Sequence, residues 1–435
     1  MDLDKLSYQA GFGNELETEA IEGALPVGQN QPQRCPYGLI SELVSGTAFT
    51  APRALNRRSY VFRIRPSVTH GRFELTPASQ FLTPPFDTIL SPNQMRWSPF
   101  PVGAGVEQDF LDSIVTICGN GSPLSQVGMS IHLYRATKDM VGRFFVDADG
   151  ELLVLPYEGS VLISTEMGRM HVQPGEFALI PKGIKFRVEL PDGTASGYLC
   201  ENYGVPFRLP ELGPIGANGL ANTIDFQIPT AWFEEGDEAC TVHQKIGGNI
   251  WVAELDHSPL DVVAWRGTLY PAKYDMHRFM ALGSVTFDGV DPSLYCALTA
   301  PGDPVLGGNA DFLVVPPRWS VTDHTFRAPS YHRNSVAEFY GLIYGNRESN
   351  SSNFGPGGFT IHNNWAAHGP DTRSFNAASK ADLVPEQVAG GLAFMFESRL
   401  PLLPTRFAYD AEELQPDYRL GWQDFTPEFS SPTTR

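Results

Sequence analysis

Charge is scarce in this sequence: Asp, Glu, Lys and Arg together make up 18% of its 435 residues. What charge there is leans one way, with 49 acidic residues against 31 basic ones and a formal net charge of -18 at pH 7. Such an excess of carboxylate repels phosphate groups, so neither nucleic acid nor an anionic membrane is an expected partner. Cysteine is scarce as well. Cys35, Cys118, Cys200, Cys240 and Cys296 lie far apart, with no C-x-x-C pair. That spacing argues against a disulfide framework and reads as reduced core thiols of a cytosolic protein. No apolar run approaches the length of a membrane span, and MDLDKLSYQAGFGNE has neither a basic n-region nor an apolar h-region. The expected product is soluble and cytoplasmic.

Long helical periodicity is also missing. Gly (42) and Pro (36) punctuate short apolar runs such as RSYVFRIRPSV, DFLDSIVTI and NIWVAEL, the pattern of sandwich strands. The expected fold is mostly β, in two domains or one domain with a sizeable extension. Residues 1–60, rich in Gly, Asn and Pro, look too irregular for regular strands. They are expected to form an ordered arm that wraps a neighbouring subunit, or a partly mobile one. GPIGANGLAN, Gly213 to Asn222, is the most Gly-rich turn, but it lacks the Gly-Lys-Ser/Thr of a phosphate loop and reads as a structural connection.

Two segments look like related β-sandwich halves. In LLVLPYEGSVLISTEMGRMHVQPGEFALIPKGIKFRVEL, Gly175, Pro181, Gly183 and Phe186 resemble the second motif of the cupin family, G-x5-P-x-G-x2-H, with Phe in place of the metal-binding His. That half is expected to fold as a cupin without a ligand. The boundary between the halves is expected near residue 275, with an N-terminal β domain over 1–275 and a C-terminal catalytic one over 276–435.

The second half keeps a ligand set. In SYHRNSVAEFYGLIYG, Ser330 to Gly345, the residues His332, Asn334, Glu338 and Gly345 fit the first cupin motif, H-x-H-x3-E-x6-G, with Asn at the second His. On a strand, positions 332, 334, 336 and 338 share a face, whereas a helix would turn Glu338 about 120° from His332. An unpaired carboxylate inside a barrel is costly, and a metal ion removes that cost. A third ligand is expected from FTIHNNWAAHGPD, which carries His362 and His368. Two imidazoles and one carboxylate leave coordination positions open, the facial arrangement of non-haem Fe(II) oxygenases; Zn accepts such ligands too, but this set suggests it less. His324, near the same cluster in sequence, reads as a structural residue.

The resemblance then becomes specific. The chain resembles the homogentisate 1,2-dioxygenase family over nearly its whole length, through YQAGFGNE (8–15), SGTAFTAPRALNRRSY (45–60), ELGPIGANGLAN (211–222), FLVVPPRW (312–319), YHRN and AEF (331–339) and HGPD (368–371). The resemblance implies a two-domain cupin-like subunit, a homo-hexamer arranged as a dimer of trimers, and Fe(II) held by His332, Glu338 and His368. It implies O2 and a 2,5-dihydroxyaromatic acid as substrates, homogentisate giving maleylacetoacetate in tyrosine catabolism.

Two positions depart from the family pattern. The family's F-D-H-x-D-P-S, whose His is the proton-accepting base, stands here as FDGVDPS with Gly289. A substrate-contacting Tyr past the Glu338 strand is replaced by Arg347, a planar cation able to grip a carboxylate in bidentate fashion. His362 is a candidate to take over the missing base's role. Three readings are open: a ring-cleaving dioxygenase of this family, a paralogue acting on another hydroquinone, or a cupin with only a binding or structural role.

Overall fold

The computed structural model describes residues 3–101, 107–212, 221–281, 295–345 and 354–431. It is mostly β, in two sandwich-like halves, as the strand-and-turn composition implies. The first half pairs a nine-stranded sheet, centred on Glu151–Glu158 and Ala195–Asn202, with a seven-stranded sheet that includes Arg143–Asp147, Phe186–Glu189 and Cys240–Ile246. A six-stranded sheet forms the second half, in the order Cys296–Ala300, Ala310–Val315, Gly391–Ser398, Ala337–Gly345, Phe359–His362, Met95–Trp97.

Two short strands cross between the halves. Met95–Trp97 closes the edge of the six-stranded sheet by pairing with Phe359–His362, while Leu403–Pro404 joins the nine-stranded sheet beside Val115–Gly119. A ladder of rings fills the contact. Trp97 stacks on Phe359 at 4.9 Å and Phe359 on Phe339 at 4.9 Å, and Tyr198, from the first half, meets Phe394 at 4.8 Å. The buried Tyr198 hydroxyl donates to the carbonyls of Leu342 (3.2 Å) and Gly358 (3.0 Å). Aromatic pairs add about 0.5–1.5 kcal/mol each beyond area burial, so this ladder is a main brace of the strand that carries Glu338.

Residues 3–60 are largely irregular but are tied down by strands that the sequence did not suggest. Tyr8–Ala10 edges the nine-stranded sheet, while Leu16–Glu19 and Ile40–Ser45 complete a four-stranded sheet with Arg58–Arg63 and Val262–Gly267. Leu16–Glu19 pairs with residues more than 200 positions away in the chain, beyond the reach of local pattern reading. Phe186, at the position of the cupin ligand, is buried and packs edge-on against Phe145 at 5.6 Å and Phe110 at 6.3 Å. It fills space where an imidazole would have met a metal.

Candidate metal centre

Glu338 sits on the strand Ala337–Gly345, directly opposite His362 of the neighbouring strand. Side chains opposite each other in an antiparallel pair share a face, so the pairing alone puts both on the same side. The face opposite Glu338 carries Phe339 into the ring ladder. Gly345 ends this strand at φ 87°, where a Cβ would lie 2.1 Å from the Gly390 carbonyl; only glycine fits that turn.

His332 arrives differently from the sequence expectation. The strand begins only at Ala337, and the chain bends at Ser335 and Val336, so His332 and Asn334 do not lie on one strand with Glu338. His332 instead forms an isolated antiparallel bridge with His368, through His332 N–H to His368 O (3.0 Å) and His368 N–H to His332 O (3.1 Å). This brings the two chain segments so close that a Cβ on Gly369 would lie 2.9 Å from Tyr331 Cα, at a φ of 156°. The HGPD run thus has a local logic. Gly369 permits the bridge, and Asp371 caps the helix Thr372–Lys380 by accepting from Ser374 N–H at 2.7 Å.

The side chains of His332, Glu338 and His368 converge, each offering a ligand atom within 4.8 Å of the others. His368 Nε2 lies 3.0 Å from Glu338 Oε2 and His332 Nε2 lies 3.7 Å from Glu338 Oε1. Behind each imidazole, Nδ1 meets a backbone carbonyl: Ser330 O at 2.8 Å for His332 and Ala366 O at 2.9 Å for His368. With Nδ1–H donated backwards, both rings present Nε2 to the centre, the outer-shell arrangement that fixes metal-binding imidazoles. Asn334 Nδ2 donates to Glu338 Oε1, so the residue at the second motif His orients the carboxylate instead of ligating.

Burial alone would raise the Glu338 carboxyl, but its contacts with His332 and His368 and the nearby His362 outweigh that and hold it well below the usual carboxylate range. Contact with Glu338 raises His332. A buried anion flanked by two fixed imidazole nitrogens fits a divalent ion, and these residues would hold it. The triad is not sealed: the His332 side chain is 36% exposed, against 8% for Glu338 and 7% for His368.

His362 does not join the three, but it stacks on His368 with ring centroids 4.0 Å apart, and its Nε2 lies 3.2 Å from the Tyr418 hydroxyl. Tyr418 was not foreseen, because nothing in PDYRLGW marks it. Its ring packs under the Arg96 guanidinium at 3.9 Å. His324 is exposed beside Asp323 and stands outside the triad. Gly289 and Arg347 lie outside the described residues, as does most of the GPIGANGLAN turn.

The N-terminal family model of homogentisate 1,2-dioxygenase matches residues 7–276, and the C-terminal one matches residues 277–429. The chain belongs to the homogentisate 1,2-dioxygenase family. Its activity is therefore of the dioxygenase type. Solved structures of lower likeness include protein Ylba from E. coli (9% identity, 72% of this chain and 93% of that one, TM-score 0.32). A cupin 2 conserved barrel domain protein from Leptotrichia buccalis matches at 8% identity, over 69% and 92% of the two chains, with TM-score 0.27. A point mutant of Bacillus subtilis oxalate decarboxylase matches at 11% identity over 72% and 78%, with TM-score 0.31. Likenesses at this level say nothing of chemistry. No helix among the described residues is long and apolar enough to cross a membrane.

Proposed function

We propose that the chain is an Fe(II)-dependent dioxygenase that cleaves the ring of a 2,5-dihydroxyaromatic acid, homogentisate or a close acidic relative. The observation that carries the reading is the convergence of His332 Nε2 and His368 Nε2 on the Glu338 carboxylate. Bound there, Fe(II) would supply Lewis acidity and a path for electrons from an electron-rich ring to O2.

The chain's own residues do the rest. Ser330 O and Ala366 O hold the two imidazole tautomers, and Asn334 holds the carboxylate, so the ligand set is preorganised. His362, stacked on His368 and hydrogen-bonded to Tyr418, is the group placed to hold a proton beside the reacting ring, now that Gly289 supplies no base. Arg347 is assigned to the substrate carboxylate. The replacement of the family's pocket His and Tyr by Gly289 and Arg347 favours a second reading, a paralogue whose substrate is bulkier than homogentisate. As in the family, the working unit is taken to be a cytoplasmic homo-hexamer, a dimer of trimers, with a small aromatic acid and O2 as its only partners.

The test loads purified protein with Fe(II) and follows O2 uptake across a panel of hydroquinones. Uptake with homogentisate supports the first reading, and uptake only with another member supports the second. Iron-loaded protein that consumes no O2 with any of them overturns both.

A further inference from the structure

The turn Tyr418–Trp422 lies near the C-terminal end of the chain and supplies no ligand to the triad. Its contacts nevertheless converge on the centre. Residues paired directly across strands share a face, as do residues two apart on one strand. Glu338 pairs with His362, and Thr360, two before His362, pairs with Arg96 of the crossing strand Met95–Trp97. Arg96, Thr360, His362 and Glu338 therefore line one face of the six-stranded sheet, while Trp97, Phe359 and Phe339 line the other, where the ring ladder packs. Tyr418 covers the first face. Its ring lies 3.9 Å from the Arg96 guanidinium and runs nearly parallel to that of His362, at 19° with centroids 6.1 Å apart, and its hydroxyl lies 3.2 Å from His362 Nε2.

Two separate anchors decide where this phenol sits. Before it, Ser98 N–H donates to Glu413 O at 2.9 Å, Leu414 bridges to Trp97, and Gln415 N–H donates to Arg96 O at 2.8 Å, so the segment is laid along the strand that carries Arg96. After it, Trp422 Nε1–H donates to Pro370 O at 3.0 Å, and the Trp422 ring packs edge-on against Tyr418 at 5.1 Å. Pro370 stands two residues past His368. One short turn thus holds both ends of the loop 362–370, His362 through Tyr418 and the run after His368 through Trp422.

Stacking alone does not orient an imidazole. The buried His362 ring lies on that of His368 at 4.0 Å and 24°, and a half-turn about its Cβ–Cγ bond would leave the plane where it is while exchanging the sides on which its nitrogens lie. The stack is blind to that exchange, but a hydrogen bond is not. A phenol can give or accept one, so Tyr418 selects the orientation with Nε2 toward it whichever partner donates.

We propose that Tyr418 is a positioning residue for His362: held by Arg96 on one side and Trp422 on the other, its hydroxyl keeps the His362 ring in one of its two orientations, so that the ring always presents the same edge to the substrate. The inference rests on the reading of His362 as the group beside the reacting ring. It makes the C-terminal turn part of the working centre, although the turn holds no metal.

The experiment uses full-length wild type, Tyr418→Phe, His362→Ala and the double variant. Tyr418→Phe keeps the ring against Arg96 and Trp422 and removes only the hydroxyl. Its iron content and melting temperature should match wild type and its KM should stay close to the wild-type value, while kcat falls by up to about 100-fold, measured by O2 uptake with homogentisate or whichever hydroquinone of the panel wild type turns over. In the His362→Ala background the same substitution should cost nothing more, since the hydroxyl acts only through that ring. A second readout needs no turnover: solid-state NMR of ¹⁵N-histidine-labelled protein before iron loading, with the His362 signals assigned by their loss in His362→Ala. Tyr418→Phe should shift the His362 Nε2 signal and leave those of His332 in place. A wild type that consumes no O2 with any hydroquinone defeats the proposed function, and the NMR comparison still decides the role of Tyr418. His362 signals unmoved in Tyr418→Phe overturn the proposal, as does a kcat loss of equal size with and without His362.

Discussion

His368 Nε2 lies 3.0 Å from Glu338 Oε2, although the two residues are 30 positions apart and the bridge that aligns them belongs to a third residue, His332. The contact makes Glu338 the hub of the centre. Glu338→Ala should lose iron and activity together, by more than the roughly 100-fold that bounds outer-shell changes. Elemental analysis of the purified variant checks it, and stoichiometric iron would show the triad to be misassigned.

Asn334 is expected to act through Glu338. Asn334→Ala removes the donor to Glu338 Oε1 and should weaken iron binding or turnover by about 10- to 100-fold. Asn334→Asp, which sets a second negative charge there, should be worse. Iron affinity equal to wild type in both variants would leave Asn334 without that role.

A third expectation concerns pH. Burial, only partly offset by the Phe207 N–H at 2.7 Å, raises the Glu151 carboxyl to about 7. An unfolded chain releases that proton near its ordinary value of 4.5. The folded state therefore keeps the proton while the unfolded state has lost it, so stability is full below pH 4.5 and declines as pH rises to about 7. At about 1.4 kcal/mol per unit the effect is on the order of 3 kcal/mol. Glu151→Gln should match wild type near pH 5 and melt at a higher temperature than wild type near pH 8. Parallel melting curves across that range would refute the assignment.

The altered pocket can be tested kinetically. Gly289→His and Arg347→Tyr restore the family residues, and either should improve turnover of homogentisate. If the native enzyme already reaches a kcat/KM in the usual range of about 10⁴ to 10⁸ M⁻¹s⁻¹, and neither change raises it, the substrate is homogentisate itself.

Assembly is read by sedimentation. A species well above the 47.8 kDa of one chain is expected; a monomer at micromolar concentration would contradict the hexamer.

What the sequence made legible follows physical range. The motif spacing and Gly345 are local, and the sequence pattern exposed them: one histidine, one carboxylate and a turn that only glycine fits. The bend at Ser335 and Val336 escaped, because the bridge that forces it comes from His368, and a pattern of alternation carries no information about a partner 36 residues away. Tyr418 escaped for the same reason. Lys245, fully buried between the carboxylates of Asp149 and Glu201 in the first half, escaped more completely, since a lysine in a strand reads as a solvated face until the sheet above it is known.

The exchange of short strands has a further consequence. Met95–Trp97 covers the outer edge of Phe359–His362, and Leu403–Pro404 does the same for Val115–Gly119. Cutting the chain between its two family segments, near residue 276, would therefore leave each product with a bare hydrogen-bonding edge, and in one of them that edge belongs to the strand bearing His362. The two halves are not interchangeable cassettes. A genetic fusion or domain swap that kept one and replaced the other would expose a sticky seam beside the candidate metal centre.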